Sequence, residues 1–161
     1  RKVHRYDPAT GETTVFLEDS GGSNGLHWDH QGRLVLAADR DRKVTRLEHD
    51  RDITTLEDEF DGRKFNSPND LDIDSHGNIY FTDPSWKPRD QRDMDEMGVY
   101  FIPSLGPPAQ PRPLPQPSQD KVDTPDGTFR VSQAEPAPDV EVRRLITDLK
   151  RPNGIALSLD E

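Results

Sequence analysis

The chain has no cysteine, so a disulfide-stapled scaffold and a thiolate metal site are both chemically impossible. It has no apolar run near the ~20 residues that cross a bilayer as a helix. Nor does it show the charged, apolar and small-residue order of a secretory leader. Apolar residues are scarce, at 30% against 32% charged, while prolines number 15. A chain of 161 residues is long enough for one domain with a core, but this composition concentrates that core in short runs. No window sustains a 3.6-residue apolar period, so no substantial helix is expected. The charge is one-sided too, with a net −10 and a pI near 4.9. Such a chain repels nucleic acid and anionic membranes and attracts cations, and neither nucleic acid nor membrane is an expected partner. The compartment stays open, because cytoplasmic, periplasmic and secreted proteins can all lack cysteine.

What the sequence does contain is a series of short strands between turn signals. Lys2–Tyr6 and Thr13–Leu17 are joined by Asp7-Pro8-Ala9-Thr10-Gly11, a turn sequence with φ-fixing and φ-permissive residues in place. Leu26–Trp28, Arg33–Ala38, Lys43–Leu47 and Ile53–Leu56 follow. The series resumes with Leu71–Ile73, Asn78–Thr82, Val99–Ile102, Glu141–Ile146 and Ile155–Leu157. Three segments align with one another: Ser23-Asn24-Gly25-Leu26, Pro68-Asn69-Asp70-Leu71 and Pro152-Asn153-Gly154-Ile155. In each, a small residue or Pro is followed by Asn, by Gly or Asp, and by an aliphatic residue entering a strand. The first two Asn are 45 residues apart, the length of one four-stranded propeller blade. The second and third are 84 apart, which accommodates two blades or one blade with an insertion. Ten of the 15 prolines lie between Pro103 and Pro138, so residues 103–140 read as an extended proline-rich insertion within one blade. The fold class expected is all-β, a β-propeller with about three blades present. Propeller repeats bury their faces only against neighbours, and Arg1 falls inside a strand, so residues 1–161 are expected to be a fragment of one propeller domain.

Phe65-Asn66-Ser67-Pro68-Asn69-Asp70-Leu71, followed by Gly77-Asn78-Ile79-Tyr80-Phe81-Thr82-Asp83-Pro84, resembles the gluconolactonase branch of the SMP-30/gluconolactonase/LRE-like family. Asp61-Gly62-Arg63-Lys64, Gly32-Arg33-Leu34, Val44-Thr45-Arg46 and Arg151-Pro152-Asn153-Gly154 fit the same branch. The resemblance covers residues 1–102 and 141–161. It implies a six-bladed propeller in the full-length family, with one Ca²⁺ in the central channel, and hydrolysis of sugar lactones. Matched motif to motif, Asn69 and Asn153 are the implied metal ligands. The family's remaining ligands, a Glu and an Asp, would precede Arg1 and follow Glu161, and that Asp is the expected general base. No catalytic residue is therefore assigned within the chain.

The chemistry of the residues agrees with this reading, since an amide oxygen is a hard neutral ligand suited to Ca²⁺. Asp83, Trp86, Asn24 and His27 are the candidate substrate-binding residues. Outside the family context, an Asn before a strand is a turn residue satisfying its own backbone. Asp72–Asp83 imitates an EF-hand loop, but His76 stands at its fifth position and Asp, not Glu, at its twelfth. Asp74–Gly77 is read as a hairpin turn instead. Two alternatives stand beside the lactone hydrolase: a non-catalytic propeller that binds a partner, and an inactive fragment of the enzyme.

Overall fold

The computed structural model describes residues 1–104, 141–147 and 149–158. Its architecture is antiparallel β throughout, with one single-turn 3₁₀ helix at Arg89–Gln91. Strands β1 (Val3–Asp7) and β2 (Glu12–Leu17) form a hairpin. Strands β3 (Leu26–Trp28), β4 (Leu34–Ala38), β5 (Lys43–Leu47) and β6 (Ile53–Glu57) form a four-stranded meander. A short ribbon of β7 (Glu59–Phe60) and β8 (Arg63–Lys64) leads to the second meander. That sheet consists of β9 (Leu71–Ile73), β10 (Ile79–Asp83), β11 (Gly98–Ile102) and β12 (Arg143–Ile146), in that order.

Strand β4 shows why the sheets stack. All five of its residues, Leu34-Val35-Leu36-Ala37-Ala38, are buried, because alternate side chains point to opposite faces and both faces are covered. Val35 and Ala37 join Val44 on one face, against Leu71, Ile73, Ile79, Phe81, Tyr100 and Ile102 of the second sheet. Leu34 and Leu36 join Leu47 on the other, against Leu17 of β2. Each Val, Leu, Ile or Phe side chain among these contributes roughly 1.5–3 kcal/mol when fully buried. Phe65, from the segment between the sheets, sets its ring edge-on against the stacked pair Phe81 and Tyr100, with centroids 5.0 and 5.2 Å away. Edge-to-face contacts of this kind add about 0.5–1.5 kcal/mol each beyond burial.

The face of Leu34 and Leu36 is only partly covered by the β1–β2 hairpin. Leu26 and Trp28, opposite Leu36 and Leu34 in the register, remain exposed. A sheet that buries its faces only against neighbours leaves such side chains open where no neighbour is present.

The two sharp turns that follow β3 and β9 are built alike. Asp29 Oδ1 accepts from the amides of Gln31 and Arg33, and Asp74 Oδ1 accepts from those of His76 and Asn78. Gly32 and Gly77 take positive φ at the same place in each, where a Cβ would be strained. The Asp74 turn is therefore the hairpin read from the sequence. Burial alone would raise the Asp74 carboxyl, but the bonds from Asn78 and His76 hold it below its ordinary value.

Two expectations change. The β7–β8 ribbon is an addition: it turns at Asp61-Gly62, both at positive φ, the two-residue hairpin that Asp-Gly favours. Ile155–Leu157 does not join a ladder. Its amides are bound by side-chain carboxylates of the second sheet instead, so it runs extended without a backbone partner among the described residues. Most of the proline-rich insertion, residues 105–140, lies outside the described residues. Its ends leave β11 and return to β12, which are adjacent strands paired Val99↔Ile146 and Phe101↔Arg143. No helix among the described residues is long and apolar enough to cross a membrane.

Glu57, at the end of β6, is followed by Asp58 and Glu59. Burial, reinforced by those two charges, pushes its carboxyl up to about 7. Between its ordinary value and that point the folded protein keeps a proton that the unfolded chain has released, so stability falls as pH rises through this window. Glu57→Gln is expected to raise the melting temperature at pH 8 and to leave it unchanged near pH 4.5. Equal melting temperatures at pH 8, measured by calorimetry on the natural protein, would contradict this.

Candidate functional site

The three Asn motifs found in the sequence meet along the inner edges of the sheets. In the first, the Asn24 amide donates to Ala37 O at 3.1 Å and Ala37 N donates back to Gly25 O at 3.0 Å. The second repeats this geometry, with Asn69 N to Thr82 O at 2.9 Å and Thr82 N to Asp70 O at 2.9 Å. The two are joined by Gly25 N donating to Asn69 O at 2.7 Å. A Cβ on Gly25 would stand 2.6 Å from Asp70 Cα, so glycine is required by close approach.

Asp70 and Asp72 then carry the arrangement to the third motif. Asp70 Oδ2 accepts from Ile155 N at 3.2 Å, and Asp72 Oδ2 accepts from Leu157 N at 2.8 Å. The Thr82 hydroxyl accepts from Asp70 N and donates to Asn153 O at 3.3 Å. Between the second and third motifs, side chains supply the hydrogen bonds that a backbone ladder would otherwise make.

Asn69 is 2% exposed, and its Oδ1 has no hydrogen-bond partner among the described residues. A buried amide oxygen left unpartnered costs about 1–3 kcal/mol, and such an atom calls for an explanation. A hard cation is one that fits the donor, since Ca²⁺ takes neutral amide oxygens. Asn153 is exposed, its backbone carbonyl held by Thr82. Among the described residues no three His, Cys, Asp or Glu side chains gather as a metal cluster.

The other sequence-predicted residues fall in different places. Asn24 is exposed at the entry to β3. His27 sets Nε2 at 3.2 Å from Asp72 Oδ1 and Nδ1 at 2.8 Å from Trp28 O. Trp86 lies just beyond β10 and is 51% exposed. Asp83 is fully buried at 0% exposure, and its two oxygens accept from Asn66 N at 2.8 Å and Ser67 N at 2.7 Å. Burial pushes its carboxyl up to about 7, against the opposing pull of those amides and of Arg42.

Sequence reading singled out none of Asp70, Asp72, Thr82 or Arg42 for a role. One signal pointed to Asp70: it occupies the position where the other two motifs carry glycine.

Stacked four-stranded meanders with their first strands gathered at one edge define a β-propeller, present here in about three blades. The SMP-30/gluconolactonase/LRE-like model matches residues 1–161, and the chain belongs to that family. A gluconolactonase of Zymomonas mobilis is 28% identical over 175 aligned positions, which cover 99% of this chain and 40% of the relative. A solved gluconolactonase of Xanthomonas campestris is 31% identical, with a TM-score of 0.60 over 69% of this chain and 39% of its own. A structural-genomics X-ray structure of a candidate gluconolactonase, 20% identical, shows the same fold at a TM-score of 0.63, over 95% of this chain and 43% of its own. The chain thus spans about 40% of the length of these relatives.

The close approach at Gly25 predicts an asymmetry between equivalent glycines. Gly25→Ala should destabilise the natural protein by about 1–3 kcal/mol. Gly154→Ala, whose Cβ would find only Asp70 Oδ2 at 3.8 Å, should change stability little. Equal denaturation midpoints for the two variants would contradict the geometry.

Proposed function

We propose that this protein is a hydrolase of sugar lactones that works with one Ca²⁺ ion, and that Asn69 and Asn153 supply two of its ligands. The observation that carries this reading is the buried, unpartnered Oδ1 of Asn69, at the inner edge of the sheet in a chain of this family. Such an ion, when bound, polarises the lactone carbonyl toward attack by water.

The chain's own residues have distinct parts in this reading. Asn69 presents a neutral oxygen from a backbone held at both N and O, which fixes the point from which its buried side chain extends. Asn153 presents the second amide from the neighbouring inner strand, carried into place by Thr82 and Asp70. The exposed amide of Asn24 offers both donor and acceptor to sugar hydroxyls. His27, oriented between Asp72 and Trp28 O, presents an imidazole edge from β3. Trp86 supplies an exposed indole face against which a sugar ring can pack. A carboxylate that activates water is expected beyond Glu161, on the family resemblance alone.

The test uses the protein expressed from its natural start to its natural stop, with hydrolysis of glucono-1,5-lactone followed as Ca²⁺ is titrated. Saturable, Ca²⁺-dependent hydrolysis is expected. Asn69→Ala and Asn153→Ala should each weaken Ca²⁺ binding by at least about 10-fold, since even outer-shell changes cost roughly 10–100-fold. Hydrolysis that is indifferent to chelation, or two variants that titrate like the wild type, would refute the assignment.

A further inference from the structure

We propose that Arg42 and Asp83 are positioning residues: together they clamp residues 64–67 from opposite sides and so aim the amide oxygen of Asn69. This rests on the calcium reading given above, and it gives Asp83 a role other than substrate contact.

The segment between the two sheets has to cross from β8 to β9, and after β8 it has no ladder of its own. Two charged side chains replace the ladder. Arg42, in the β4–β5 turn, donates from Nε to Phe65 O at 2.6 Å and from Nη2 to Lys64 O at 3.2 Å. Asp83, at the end of β10, accepts from the next two amides, Asn66 N and Ser67 N. Consecutive peptides thus turn their carbonyls to a cation on one sheet and their N–H groups to an anion on the other. The fully buried Phe65 ring fixes the segment between these anchors, packed on Phe81 and Tyr100. Pro68 brings no N–H to satisfy, and Asn69 follows with its N held by Thr82 O and its O held by Gly25 N.

The pattern of satisfaction is what points to a purpose. Among the buried side-chain atoms of the described segment from Lys64 to Asp70, the Asn69 oxygen is the one without a hydrogen-bond partner. A carboxylate is an expensive group to bury. Here both its oxygens make short charge-assisted bonds, and both go to the amides three and two residues before Asn69. Were Asp83 a substrate contact, an oxygen would face open space; both face peptide N–H.

The test has two arms on the natural full-length protein. In the metal-free protein, amide hydrogen exchange at Asn66 and Ser67 should be slow. Asp83→Asn should speed it at least about 10-fold while β4 amides stay protected. In calorimetric titration, Asp83→Asn should weaken Ca²⁺ binding by roughly 10–100-fold, with kcat recovering at saturating Ca²⁺ and the lactone KM unchanged. Arg42→Gln, on a half-buried side chain, should move both readouts in the same direction, and it carries the test if Asp83→Asn fails to fold. Unchanged exchange with unchanged Ca²⁺ affinity would overturn the clamp. So would a raised KM at undiminished Ca²⁺ affinity, which would return Asp83 to substrate binding. A wild-type protein that binds no Ca²⁺ would overturn the calcium reading itself, and the exchange data would still decide whether the two residues hold the segment.

Discussion

The inner strands of neighbouring sheets come together in this fold through a contact that leaves no room for a side chain at position 25. Gly25 N reaches Asn69 O at 2.7 Å, and Asp70 Cα stands 2.6 Å from where a Cβ would be. Once that distance is set, the Asp70 and Asp72 carboxylates fall within reach of Ile155 and Leu157. Thr82 can then bridge from Asp70 to Asn153. The wide apolar interfaces further out, with Val35, Phe81 and Tyr100 at their centre, supply most of the free energy of stacking. The close contact at the inner edge supplies its register.

That division of labour bears on chemistry. Apolar burial is non-directional and would tolerate small rotations of one sheet against the next. A hydrogen bond between inner strands does not, and Asn69 sits on such a bond through its own carbonyl. Its amide oxygen is therefore aimed by backbone held at N and O, and by a preceding segment gripped by Arg42 and Asp83. A site assembled from several blades gains rigidity from the stack. The same dependence means that a change as remote as Gly25 can disturb the site without touching a ligand.

Much of this was legible in the residues. Short alternating runs bounded by Asp, Gly and Pro gave nearly every strand, with Leu26–Trp28, Lys43–Leu47 and Leu71–Ile73 matching residue for residue. The Asn-Gly or Asn-Asp repeat marked where the inner strands begin, because the backbone must do the same thing at each. Ile155–Leu157, expected as a strand, joins no ladder among the described residues, since apolar alternation reports which way side chains face and not whether a partner strand exists. The β7–β8 ribbon was missed although Asp61-Gly62 announced it. The Arg42–Asp83 clamp was out of reach for a different reason. Its members lie 41 positions apart and meet only when the two sheets stack, and nothing local distinguishes Asp83 from a strand-terminating carboxylate before a proline.

The central claim is that the buried, unpartnered side-chain oxygen of Asn69 is a cation ligand shared with Asn153. Anomalous diffraction from crystals of the natural full-length protein grown with Mn²⁺, a cation of similar oxygen preference, tests it most directly. The account predicts one dominant peak bonded to the side-chain oxygens of Asn69 and Asn153, displaced when Ca²⁺ is added in excess. A peak elsewhere, or a structure in which Asn69 Oδ1 accepts a protein hydrogen bond and no cation lies beside it, would contradict the account.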